Sequence, residues 1–266
     1  MSTTNATLER TSVFAARKAR ATELASRFEY AAEPLRLYAA LADAQAIAYE
    51  RALVVRPSFE ALPAFVVGES LPKVMEAAVS AGTEMLREAV LTRFHDGDLE
   101  DIVRAWVSGA EQEPTDAFLA RAATSPVLEA LSSLGLDLGG GEDERRCPAC
   151  GGLPQLALFT DTGDALLTGQ RRLVCSRCAT EWTYARMTCV SCRETGGSRL
   201  PILADETRLP HLRIDACEVC HSYLVTLDLR KEPRAIPVVD EIVALPLDLA
   251  AAERGFTKIS RNLVGF

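Results

Sequence analysis

CPACGGLPQLALFTDTGDALLTGQRRLVCSRC, residues 147–178, sets a Cys-x-x-Cys pair at Cys147 and Cys150 and a second at Cys175 and Cys178. The first members of the pairs lie 28 residues apart, and the same separation returns between Cys189-Val-Ser-Cys192 and Cys217-Glu-Val-Cys220. The later set repeats the earlier one 42 residues downstream, so the chain contains a duplicated unit with four sulfur ligands in each copy. All eight cysteines of the chain are used and none is left over. This is the pattern of two tetrahedral metal sites, one of Cys147, Cys150, Cys175 and Cys178, the other of Cys189, Cys192, Cys217 and Cys220.

The spacing has a physical cause. Two residues between cysteines permit a tight turn, a knuckle, that aims both sulfurs at one ion while turn N–H groups donate to them. The turn favours a positive φ just after the second cysteine, which Gly151-Gly152 supplies and Arg193 and His221 do not. The second copy is therefore expected to be strained there or to turn differently. Buried structural cysteines would scatter instead of pairing. Disulfides conflict with a reducing compartment, and a thioredoxin-like redox motif needs one such pair, not four in duplicate. Four thiolates suit zinc or a lone iron, and the spacing by itself favours zinc. Such sites leave no open coordination position, so no catalytic residue is expected, and none of His95, His211 and His221 is needed as a ligand. No Ser/His/Asp set, phosphate-binding glycine loop or HExxH stands in the sequence.

Upstream of the cysteines the chain reads as helix. From Pro34, Leu37, Leu41, Ala44 and Ala48 recur at helical spacing until Pro57. A second helix, about 22 residues long, is predicted from Pro72 through Val74, Met75, Ala78, Met85, Leu86 and Val90 to the turn at His95-Asp96-Gly97-Asp98. Shorter helices follow around Ile102 and Trp106, around Phe118, and over Val127–Leu134, the last with Ser125-Pro126 as its cap and first turn. The Gly139-Gly140-Gly141 and Glu142–Arg146 cluster reads as an interdomain linker. Beyond it, Leu156–Phe159, Arg172–Val174, Trp182–Ala185, Leu212–Ile214 and Tyr223–Leu227 read as strands of small sheets. Helical period resumes at Val239 and ends at Gly255, with Pro246 kinking or splitting it.

Composition sets the class. With 48% hydrophobic and 25% charged residues the chain is that of a globular protein. No apolar run reaches the ~18–20 residues of a membrane span, so no membrane insertion is expected. The first twenty residues carry neither an apolar core nor a twin arginine, which places the protein in the cytoplasm with its thiols reduced. The net charge of −8 falls entirely in residues 1–146, with 15 basic against 23 acidic, while residues 147–222 balance eight arginines against eight acids. A nucleic-acid partner needs a basic surplus that the cysteine-bearing half lacks.

The cysteine-bearing motifs resemble the FdhE family of formate dehydrogenase accessory proteins. The likeness rests on CPACGG at 147–152, LVCSRCATEW at 173–182, CVSC at 189–192, CEVCHSYL at 217–224 and VVDEIVALPLDLAAAERGF at 238–256, with PLRLYAALADAQ at 34–45 in the helical half. Departures are Arg193, where the family usually has glycine, and Val225, where it often has lysine. The resemblance implies a non-catalytic maturation factor that binds the catalytic subunit of respiratory formate dehydrogenase in the cytoplasm before export. It also implies two iron ions, one in each rubredoxin-like four-cysteine site, with zinc as the alternative.

The expected fold is α+β. A helical domain spans 1–140, two tandem rubredoxin-like or zinc-ribbon modules span 141–186 and 187–233, and a helical tail spans 234–266. Two rival functions stand beside the accessory role: a zinc-ribbon nucleic-acid-binding module and a rubredoxin-like one-electron carrier.

Overall fold

The computed structural model describes residues 2–160 and 170–265. The chain divides into two compact units, Met1–Leu138 with Leu263–Gly265, and Gly139–Asn262.

The first unit is all helix: α1 (Ser2–Arg27), α2 (Ala32–Val55), α3 (Leu62–Phe65), α4 (Leu71–Ala81), α5 (Glu84–Asp96), α6 (Leu99–Ser108) and α7 (Pro114–Ser133). Helix α2 is the one foreseen from Pro34, and it buries Leu37, Leu41, Ala44 and Ala48. The single helix expected from Pro72 is two. Gly82 is extended at the C-cap of α4, and Thr83 caps α5 by accepting a hydrogen bond from the Leu86 N–H at 3.1 Å. A side chain at position 82 would meet the Ala78 carbonyl at 2.5 Å, and Met85, placed on the buried stripe by periodicity, is 80% exposed.

Pro126 lies inside α7 rather than opening a new helix. A proline there removes the N–H that the Ala122 carbonyl needs and crowds the preceding turn. Buried side chains from elsewhere fill the gap: the Gln45 Nε2 donates to Ala122 O at 3.1 Å and the Ser70 hydroxyl to Ala123 O at 2.8 Å. Ser70 sits in the π-helical turn Val66–Ser70, so one irregular turn repairs another.

The second unit is a seven-stranded sheet rather than several small ones. Its strands are β1 (Pro154–Thr160), β2 (Gln170–Cys175), β3 (Glu181–Thr183), β4 (Ile202–Ala204), β5 (Leu212–Ala216), β6 (Ser222–Asp228) and β7 (Thr257–Lys258). The order β3-β2-β1-β6-β5-β4 shows what the duplication does: the first copy supplies β1–β3, the second β4–β6, and the copies join where β1 runs parallel to β6. The joining strands are the most buried, with Leu156 opposite Val225 and Leu158 opposite Leu227. All other pairs within a copy are antiparallel, as short connections require.

Pro246 does split the C-terminal helix. Helix α8 (Pro237–Asp240), a 3₁₀ turn at Glu241–Ala244 and α9 (Leu245–Glu253) pack on the sheet before β7 pairs with β6. This tail carries a buried ionic cluster. The Lys258 ammonium lies 2.8 Å from Glu241 Oε1 and 3.2 Å from Asp248 Oδ2, the Tyr223 hydroxyl donates to Asp248 at 2.9 Å, and the Gln155 amide donates to Glu241. Burial pushes both carboxyls above their ordinary range. Removing the cation strands them in a dry site, so Lys258→Met should cost about 3–5 kcal/mol in denaturant unfolding. Lys18→Met, which breaks only the exposed pair with Asp43, should leave the midpoint where it was.

Candidate metal centres

Each knuckle is built by the same backbone device. The N–H of the first cysteine donates to the carbonyl five residues on: Cys147 to Gly152 (2.9 Å), Cys175 to Thr180 (2.9 Å), Cys189 to Glu194 (2.8 Å) and Cys217 to Ser222 (3.0 Å). In three of the four, the N–H of the residue after the second cysteine returns to the first cysteine's carbonyl, from Gly151, Arg193 and His221 at 2.9–3.0 Å. That closing residue is left-handed in every case: Gly151 at φ 67°, Ala179 at 55°, Arg193 at 65° and His221 at 54°. The second copy therefore uses the same turn as the first and bears the strain of a side chain in it.

Gly151 and Gly152 have different jobs. Gly151 supplies the positive φ, whereas a Cβ at Gly152 would lie 2.8 Å from the Cys175 sulfur. Ala179 escaped the sequence reading, although shifting position 151 by the 28-residue period lands on it.

The knuckles bring the sulfurs together in two quartets, and within each all four lie inside 4.8 Å of one another. Cys147 and Cys178 are 3.6 Å apart and Cys150 and Cys175 3.4 Å; Cys189 and Cys220 are 3.6 Å apart and Cys192 and Cys217 3.7 Å. A disulfide needs about 2.05 Å. A tetrahedron with metal–sulfur bonds of about 2.3 Å has edges of about 3.8 Å, close to what the quartets show. The eight residues thus have the number, chemistry and spacing to hold two ions, with no place left for a fifth ligand. Burial pushes the Cys189 thiol up to about 12, so loading a cation displaces protons from the quartet.

The two quartets differ in exposure. Cys147, Cys150, Cys175 and Cys178 are all buried, whereas in the second quartet Cys192 is exposed and Cys220 half-buried. Both have polar support: in the first the Arg177 N–H donates to the Cys175 sulfur at 3.3 Å and the Thr180 hydroxyl lies 3.1 Å from the Cys178 sulfur, and in the second Ser222 bonds the Cys220 sulfur and the Ser191 and Cys192 N–H groups donate to the Cys189 sulfur. The charged stretch before Cys147 braces the third knuckle. Arg145 pairs with Asp143 and donates to Ser191 O at 3.2 Å, and Arg193 lies 3.5 Å from Asp143.

The aromatic residues after the knuckles act as packing. Tyr184 is buried in a cluster with Ala157, Leu173, Val190 and Leu224, its hydroxyl donating to Cys189 O at 3.3 Å, and the Trp182 indole donates to Glu144 O at 2.9 Å. His221 is exposed, with its ring 6.1 Å from that of Phe256, and among the described residues it makes no bond to a ligand sulfur.

Comparison with known proteins fits this architecture. The FdhE central-domain model matches residues 146–186 and the FdhE C-terminal-domain model residues 187–264. Residues 146–264 belong to the FdhE family. An FdhE homolog of Aquifex aeolicus is 38% identical over 120 residues, 45% of this chain and 41% of that protein. One from Pseudomonas aeruginosa is 33% identical over 208 residues, 73% of this chain and 62% of its own length. The matched part thus spans less than two thirds of each of these relatives. A crystal structure of the FdhE protein from Pseudomonas aeruginosa superposes with a TM-score of 0.70 over 96% of both chains at 24% identity, a likeness of fold.

Substitution and chelation test the centres. Gly152→Ala should lower bound metal from two ions per chain towards one, because the added methyl displaces the Cys175 sulfur. Ala179→Gly should gain about 0.5–1 kcal/mol by relieving the left-handed turn. A chelator should strip one ion well before the other, and Cys192→Ser should abolish the fast phase of release while leaving the slow one.

Proposed function

We propose that the protein is a non-catalytic accessory factor that binds the catalytic subunit of respiratory formate dehydrogenase in the cytoplasm before export and is needed for that enzyme's activity. The observation that carries this reading is the pair of closed four-sulfur quartets set in one sheet. Closed quartets hold a fold or carry an electron; they offer no coordination position for a substrate. Family membership supplies the link to formate dehydrogenase.

The cysteines Cys147, Cys150, Cys175 and Cys178 hold one ion and Cys189, Cys192, Cys217 and Cys220 the other, in rubredoxin-like sites, and we assign iron to both. The donor set accepts zinc equally well, and the choice of iron rests on the family. Iron in four thiolates supplies one-electron chemistry when bound. The exposed Cys192 favours a second reading, a one-electron carrier, because it brings the edge of the second quartet to the surface. A nucleic-acid role has no such support, since the arginines and acids of residues 147–222 cancel.

Affinity capture of the tagged protein from cells making formate dehydrogenase should recover the unexported catalytic subunit, and deletion of the gene should lower formate oxidation with dehydrogenase transcript intact. Unchanged activity after deletion rules the accessory role out. Elemental analysis with an absorption spectrum of oxygen-free protein should give two iron ions per chain, and two zinc ions would correct the metal assignment alone.

A further inference from the structure

Arg171 and Arg213 hold equivalent places in the two copies, 42 residues apart and each four residues before the first cysteine of a knuckle. Their surroundings differ. The Arg213 side chain, on β5, is 36% exposed, and its Nε lies 2.9 Å from Asp215 Oδ1. The Arg171 side chain, on β2, is 5% exposed, and its Nη2 lies 3.6 Å from Asp215 Oδ2, which also accepts from the Thr226 hydroxyl at 2.8 Å. Its hydrogen bonds go to neutral groups: Nη1 donates to Thr188 O at 2.9 Å and to Ala185 O at 3.3 Å, and the buried Nε finds no acceptor among the described residues.

A guanidinium keeps its charge at any ordinary pH, so a buried one needs a negative charge to match it. One carboxylate shared between two arginines leaves a positive charge over, and the second quartet lies where that charge is felt. Thr188, whose carbonyl Arg171 holds, directly precedes Cys189. The Tyr184 ring, 5.9 Å from the Arg171 guanidinium, carries the hydroxyl that donates to Cys189 O. Arg171, Cys189 and Cys217 border one cavity of about 120 Å³. Burial opposes the Arg171 charge, while Asp215 and, less strongly, Cys189 favour it. Arg186 borders the same cavity but is exposed, and solvent screens it. Four thiolates leave two negative charges around a divalent ion and one around a trivalent ion, so a fixed cation beside them favours the divalent state.

We propose that Arg171, carried by the first copy, is the fixed counter-charge of the second quartet, so that the first copy sets how tightly the second holds its ion and at what potential that ion takes an electron. Asp215 opposes it by withdrawing part of the positive field. This role rests on the second quartet holding an ion and not on which metal it is. It makes Arg171 a positioning residue for charge, acting across the β1–β6 joint without touching a ligand sulfur.

Two readouts on the metal-loaded full chain test this. With iron in both quartets, a potentiometric titration of the visible absorption should show R171Q lowering the potential of one ion by about 59 mV or more, a tenfold change in its oxidised-to-reduced ratio, with the other ion unmoved. D215N, which removes the competing negative charge, should raise that same potential, and R171K should keep it at the wild-type value. Mere loosening of the site does not imitate this pattern, because wetting the quartet favours the more highly charged reduced state and moves both variants upward. With zinc, whose loading builds the same negative charge without a redox step, chelator competition should find one ion held about tenfold less tightly in R171Q and about tenfold more tightly in D215N. Shifts of one sign in both variants, no shift, or equal shifts of both ions overturn the proposal and leave the metal centres standing. A wild-type chain with no ion in the second quartet overturns both. D215N decides the matter even if R171Q misfolds.

Discussion

The second unit depends on sulfurs that start 25 and 31 residues apart in the chain ending within 3.4–3.7 Å of each other, twice over. Nothing attractive between thiols achieves this. The work is divided between the knuckles, whose backbone bonds pre-aim two sulfurs each, and the antiparallel strand pairs that carry one knuckle to the next. A cation held there would neutralise what would otherwise be crowded buried thiolates, and structural zinc in small units contributes about 10–16 kcal/mol in this way. Each copy on its own has little core, and the sheet that joins them supplies what the copies lack.

The cysteine pattern was the most legible part of the chain, because spacing and duplication are explicit in sequence and the quartets form as the period demands. Five of the seven strands were legible too, through their β-branched and aromatic runs, whereas β4 and β7, three and two residues long, were too short to show a pattern. What periodicity could not reveal was that β1 and β6 pair, since a parallel contact between copies leaves no local signature. In the helical unit, Gly82-Thr83 was hidden by an unbroken apolar stripe. Pro126 misled in the opposite sense: proline normally ends a helix, and only the distant donors Gln45 and Ser70 make it tolerable. The first error is a local cap, with Thr83 accepting from the Leu86 N–H, and only the second arises where tertiary hydrogen bonds override a local rule.

The buried ionic cluster shows how the tail is tied to the sheet. Glu241 and Asp248 come from the helical tail, Lys258 from β7, Tyr223 from β6 and Gln155 from β1. A purely apolar contact would tolerate sliding, whereas these charges are compensated only in one register. Tyr223 follows the fourth knuckle by three residues, so the cluster also fixes the strand that leaves the second quartet.

The head-to-tail joint between the copies has one more consequence. Because β1 of one copy meets β6 of the other by translation instead of a two-fold turn, the arrangement does not close on itself. A third copy would find the same landing edge, and a neighbouring molecule would find it as well. The outer strands β3 and β4 are only three residues long, which leaves too few unpaired amides to nucleate such growth. Brevity at the rims is what keeps a repeat of this kind finite.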